Sequence, residues 1–95
     1  MIRRIVKMTF NPEKVEDFLA VFRESRDKIA SQPGCTHLEL FQVTDRPNIF
    51  MTYSYWEDES DLENYRHSDL FKSVWARTKI HFADRPEAWS VKVLD

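Results

Sequence analysis

Cysteine occurs once, at Cys35, in a chain of 95 residues, which excludes an internal disulfide and leaves no Cys/His spacing for a metal. No run of about 18 apolar residues is present, so no segment reads as a bilayer span. A block of basic charge is missing too: 14 Lys and Arg stand against 16 Asp and Glu, for a formal charge of -2, and the signs are interspersed. That balance argues against a nucleic-acid or anionic-membrane surface. The stretch Met1 to Lys7 holds basic residues but no apolar run of signal-peptide length, which together with the lone thiol predicts a soluble, cytoplasmic protein. Internal repeats, linkers and low-complexity segments are absent, so one domain over residues 1–95 is expected.

What is present is apolar and aromatic: 42% hydrophobic and 14% aromatic residues place the chain among ordered globular proteins. Ile2, Val6, Met8 and Phe10 alternate with Arg3, Lys7 and Thr9, the period of a strand, with Arg4 and Ile5 breaking the pattern. Asn11-Pro12-Glu13 predicts a helix start, with asparagine as the cap and proline at the first turn. Val15, Phe18, Leu19, Phe22 and Ile29 then recur at helical spacing to about Ser31, where Pro33-Gly34 stops the helix. Residues 36–43 and 48–56 read as a hairpin across Thr44-Asp45-Arg46-Pro47. Its faces are expected to group Leu38 and Leu40 with Ile49, Met51, Tyr53 and Tyr55, and to group Phe41, Val43, Phe50 and Trp56 with His37, Glu39, Thr52 and Ser54. Asp58 and Ser68 are each able to cap a helix, which predicts a second helical element in two pieces, bent near His67. Trp89, Val91 and Val93 alternate with Ser90 and Lys92 in a last strand.

The order β, α, β, β, α, β predicts an α+β, ferredoxin-like fold, a four-stranded antiparallel sheet with both helices on one face. The other face is then bare, exposing several of Ile5, Phe41, Val43, Phe50, Trp56 and Leu94. A patch of that size is usually covered. Burying four such side chains gains roughly 6 to 12 kcal/mol before association costs, so a homodimer through the sheet face is expected.

On Pro33-Gly34-Cys35, on Trp56 at the end of the third strand, and on the run Trp56-Glu-Asp-Glu-Ser-Asp-Leu62-Glu-Asn-Tyr65-Arg-His-Ser68-Asp-Leu-Phe71, the chain resembles the antibiotic biosynthesis monooxygenase superfamily of dimeric α/β-barrel proteins. The resemblance implies one pocket per subunit between the second helix and the covered sheet face. It also implies a choice of chemistries, since members include cofactor-independent monooxygenases of quinols and polycyclic phenols and haem-degrading oxygenases, others in related branches are isomerases or have no known activity, and fold alone does not choose. The positions of the haem-degrading branch fall on Val6, Tyr65 and Trp75. An indole at the last cannot ligate iron as imidazole does.

The expected enzyme is therefore a monooxygenase without cofactor or metal, taking a small aromatic substrate and dioxygen. Tyr65, Phe71 and Trp75, with Val6 and Met8, are the expected substrate contacts, and Tyr65, His67 and His81 the candidate catalytic groups, imidazole being a common general base. His37 and Cys35 lie on a strand at positions that do not favour a nucleophilic pair, and Arg77 and Lys79 are candidates for steering an anion. Aromatics at helical spacing also serve as plain core filling. A non-catalytic dimeric module holding an apolar ligand, and a small-molecule isomerase with a histidine base, are the alternatives.

Overall fold

The computed structural model describes residues 1–95. Strand β1 (Ile2–Thr9) is followed by a single 3-10 turn at Pro12–Lys14 and helix α1 (Val15–Ala30). The hairpin is β2 (Cys35–Val43) and β3 (Arg46–Trp56), followed by α2 (Glu59–Arg66), α3 (Asp69–Lys79) and β4 (Glu87–Val91). The sheet order is β2-β3-β1-β4, antiparallel throughout, the ferredoxin-like arrangement. No helix is long and apolar enough to cross a membrane.

Local chemistry accounts for most boundaries. Asp58 accepts the Ser60 amide at 3.0 Å and Ser68 accepts the Phe71 amide at 3.1 Å, so α2 and α3 each carry their own cap and the element breaks between them. Asn11 does not cap with its side chain as expected; its carbonyl accepts the Lys14 amide at 2.8 Å and closes the 3-10 turn instead. The hairpin loop is shorter than the expected tetrapeptide, because Arg46 and Pro47 already belong to β3 and only Thr44 and Asp45 lie between the strands.

Phe18, Phe22, Ser25 and Ile29 form the buried stripe of α1, packed with Met8, Phe10, Leu38 and Phe50. Phe10 is fully buried and stacks on Phe18 with ring centroids 4.1 Å apart. Ser25 is tolerated in that stripe because its hydroxyl donates to the Val21 carbonyl at 2.8 Å.

The hairpin faces differ from those expected. Leu38 pairs with Ser54 and Leu40 with Thr52, while His37 pairs with Tyr55 and Phe41 with Met51. Phe50 and Trp56 therefore point to the helices, 2% and 1% exposed, and Met51, Tyr53 and Tyr55 turn to the open face. Both parities of β3 mix apolar with polar groups, so alternation alone could not orient it, and irregularities between Cys35 and His37 and between Gln42 and Val43 break the simple count. The open face carries Ile5, Phe41, Met51, Tyr53, Tyr55 and Trp89, with Arg3 lying 4.4 Å above the Tyr55 ring centroid and donating to the Tyr53 hydroxyl at 2.9 Å. Val93 and Leu94 fall beyond β4 and are exposed.

Gly34 fixes the approach of α2 to the hairpin. Its φ is +84°, its carbonyl accepts the Glu57 amide at 2.8 Å, and a Cβ there would collide with the Asp61 side chain. Gly34→Ala is expected to cost about 1 to 2 kcal/mol through the left-handed backbone alone and more through displacement of Asp61. Urea unfolding checks this, and a loss below about 0.5 kcal/mol contradicts it.

Candidate functional site

Between the sheet and the helices lies a mostly apolar cavity of about 320 Å³. Its floor is the covered sheet face, where Val6 and Met8 of β1 lie beside Thr52, Ser54 and Trp56 of β3, and its helical roof comes from α2 and α3 with Phe18, Phe22 and Ile29 of α1. The division of that roof between α2 and α3 matters. Tyr65 stands near the end of α2 and Phe71 and Trp75 are one turn apart on α3, so only a break between them lets all three face the same space.

These rings form a continuous run. Trp56 stacks on Tyr65 at 5.2 Å and 20°, Tyr65 meets Phe71 edge-on at 5.3 Å, Phe71 stacks on Trp75 at 5.9 Å and 9°, and Trp75 meets Phe82 at 5.5 Å. Trp56 is held by its indole donating to the Ser54 hydroxyl at 3.0 Å. Tyr65, Phe71, Trp75, Val6 and Met8 thus all border the cavity.

The histidines do not. His67 follows α2 with 76% of its side chain exposed, its Nδ1 2.8 Å from the Glu63 carbonyl, on the solvent side of the helix. His81 lies past the end of α3, outside the cavity wall, where its carbonyl accepts the Asn11 amide at 3.1 Å. His37 lies within 2.5 Å of Glu39 on the open face, and Arg77 pairs with Glu24 at 3.3 Å, so neither reaches the cavity. No three His, Cys, Asp or Glu side chains converge as a metal set. The positions compared with the haem-degrading branch, Val6, Tyr65 and Trp75, do share the wall, but no imidazole is among the residues that line it, so the iron-ligating histidine of that branch has no counterpart in this cavity.

Burial, and then the nearby Cys35, pushes the Tyr65 phenol up to about 12, so at neutral pH it is a hydrogen-bond donor and not a base. Burial also raises the Cys35 thiol, which disfavours the thiolate a nucleophile needs. Since the unfolded chain sheds the tyrosine proton near pH 10 and the folded one near 12, the folded state holds more protons between those values. The Tyr65 contribution to stability is therefore complete below about pH 10 and lost as pH rises towards about 12. Urea midpoints measured against pH should fall less steeply in that window for Tyr65→Phe than for the unaltered chain; identical slopes contradict the burial argument.

Two charged lining residues escaped the sequence reading: Arg4, which borders the cavity from β1, and Arg66, the neighbour of Tyr65 on α2. The signal was there in Arg4, which shares the parity of Ile2, Val6 and Met8 and so interrupts an otherwise apolar face.

Comparison with known proteins agrees with this architecture. The family model described as antibiotic biosynthesis monooxygenase matches residues 1–77. Among curated proteins, a proposed monooxygenase of Pestalotiopsis microspora is 25% identical over 56 residues, a stretch that is 59% of this chain and 47% of that one, so this chain matches less than half of that relative. Among solved structures, one described as an antibiotic biosynthesis monooxygenase superposes with a TM-score of 0.94 at 20% identity, covering 100% of both chains. A conserved protein from Methanosarcina mazei superposes at 0.91 with 24% identity, covering 96% of this chain and 90% of its own. At these identities the structural likeness establishes the fold.

Proposed function

Because the chain belongs to the antibiotic biosynthesis monooxygenase family, we propose that it is a cofactor-independent monooxygenase acting on a phenolic or quinol aromatic held in the cavity beneath α2 and α3. The observation that carries this reading is the unbroken run of rings from Trp56 to Trp75 along one side of an apolar hollow. Such a wall stacks on a planar substrate and keeps water from a reactive intermediate.

The chemistry asks little of the protein. An electron-rich phenolate donates an electron to dioxygen, a carbon–oxygen bond forms at a ring carbon bearing hydrogen, and the oxygen–oxygen bond breaks as that hydrogen leaves as a proton. The substrate loses two hydrogens and gains one oxygen atom, and the other oxygen departs as water. Tyr65, protonated and facing the hollow, donates a hydrogen bond to the oxygen on which negative charge develops.

Oxygen uptake with reduced naphthoquinones and simple naphthols tests this. Tyr65→Phe should lower kcat by roughly a hundredfold, and His67→Ala should leave it unchanged. Absence of uptake across the whole panel overturns the enzyme reading. A second reading, a non-catalytic module for an apolar ligand, is favoured by one observation: neither imidazole nor carboxylate borders the cavity. Melting shifts with ligand but no product would support it. The same observation weighs against an isomerase with a histidine base.

The reading further takes residues 1–95 as one domain that pairs with a second copy through the open sheet face. Phe41 and Trp89 are 43% and 44% exposed there, beside Ile5, Met51, Tyr53 and Tyr55, a concentration of large side chains that a partner sheet would cover.

A further inference from the structure

Arg4 lies on the covered face of β1, opposite Ser54 on β3 and Ser90 on β4. Two small neighbours leave its guanidinium uncrowded, and it donates from Nη1 to the Ser90 hydroxyl at 3.1 Å. It takes part in none of the ion pairs of the chain. Arg66 reaches the same cavity from α2 and pairs with Glu63 at 2.8 Å. Two guanidinium groups against one carboxylate leave a single positive charge on the wall of an otherwise apolar hollow. Burial first, and then the charge of Arg66, lower the pKa of Arg4, with Glu63 opposing them. A cation that is partly desolvated without a counterion is costly, and a ligand that brings its own negative charge relieves that cost.

We propose that the cavity selects aromatic substrates able to present an ionised oxygen, a phenolate above all, with that oxygen against Arg4 and the ring system along Trp56, Tyr65 and Phe71. This rests on the reading of the cavity as a substrate site. It also answers how a phenol loses its proton where no imidazole or carboxylate is at hand. A cation within about 4 to 6 Å lowers the pKa of an acid by about 1 to 3 units, so the substrate O–H bond breaks with its electron pair left on oxygen and the proton passes to water. Arg66, paired with Glu63 and 44% exposed in its side chain, adds a weaker share of the same field.

The test uses the whole chain with two probes, α-naphthol and its methyl ether, which cannot ionise. Calorimetric titration gives affinities, and absorbance of bound naphthol gives its ionisation as pH rises. The naphtholate band of the complex should appear about 1 to 3 pH units below that of the free probe. Arg4→Gln should return it most of the way to the free value and weaken naphthol binding about tenfold or more at about pH 8, leaving the ether within about twofold. Arg4→Lys should retain most of the shift, since the point charge remains. Ser90→Ala, which cuts only the tie to β4, should keep the shift; its loss there would reduce Arg4 to a strand fastener and overturn the proposal. Should Arg4→Gln fold poorly, Arg66→Gln on the exposed end of α2 reads the same field as a smaller loss of shift, and an unchanged shift counts against the proposal. Equal binding of both probes with no shift overturns the anion selectivity, yet leaves the cavity as the substrate site if Trp75→Ala weakens both. Binding of neither probe removes both readings.

Discussion

Trp56→Ala is expected to destabilise the folded chain by about 3 to 5 kcal/mol, the range for removing a buried indole. Trp56 is 1% exposed, the end of β3 under α2. Truncation removes its stack on Tyr65 and its hydrogen bond to Ser54, and it leaves a void that opens into the existing cavity, which the roof cannot close because Gly34 already holds α2 at contact distance. Against a total of about 5 to 15 kcal/mol for a domain of this kind, the loss approaches unfolding. Trp56→Phe keeps a ring against Tyr65 and should lose much less. Urea unfolding at one fixed protein concentration checks the pair, and a loss below about 1 kcal/mol for the alanine variant contradicts the account.

On the pairing proposed through the open sheet face, Tyr53→Asp is expected to abolish dimer formation. Tyr53 occupies the middle of the open face, edge-on to Tyr55 at 5.2 Å, 5.7 Å from Phe41, and accepting from Arg3. A carboxylate there would be buried against a facing apolar sheet, and it adds a second acid beside Glu39, its cross-strand neighbour. Arg3 offsets only part of that charge. The dissociation constant should rise about a hundredfold or more, read by sedimentation velocity over a concentration series, while Ser73→Asp on the exposed side of α3 leaves it unchanged. A variant sedimenting as the unaltered protein does would show that the open face is not the contact.

Local chemistry made the element order legible. The caps at Asp58 and Ser68, the stop at Gly34 and the stripe of α1 are each written within a few residues, and each appears where the sequence places it. The orientation of β3 was not legible, because an alternating strand offers two faces and says nothing of which meets the helices. Its inner face holds Thr52 and Ser54, polar groups that look wrong for a core and are right for the wall of a hollow. The same reason hid Arg4 and Arg66: a charged residue is read by default as solvated. Tyr65, Phe71 and Trp75 of α2 and α3 converge with Val6 and Met8 of β1, at the far end of the sequence, which periodicity cannot foresee and which the family resemblance supplied. The histidines misled through proximity in sequence, since a residue two positions from Tyr65 on a helix points to nearly the opposite side.

The three tryptophans divide between the two surfaces in question. Trp56 and Trp75 border the hollow, and Trp89 stands on the outer side of the sheet, 44% exposed. The molecule thus carries built-in emission probes for the two proposed events: a guest entering the hollow would quench the first two, and docking of a second copy would shift the emission of the third to shorter wavelength. Trp89→Phe isolates the emission of Trp56 and Trp75, and its difference from the unaltered chain reports association, both without a label.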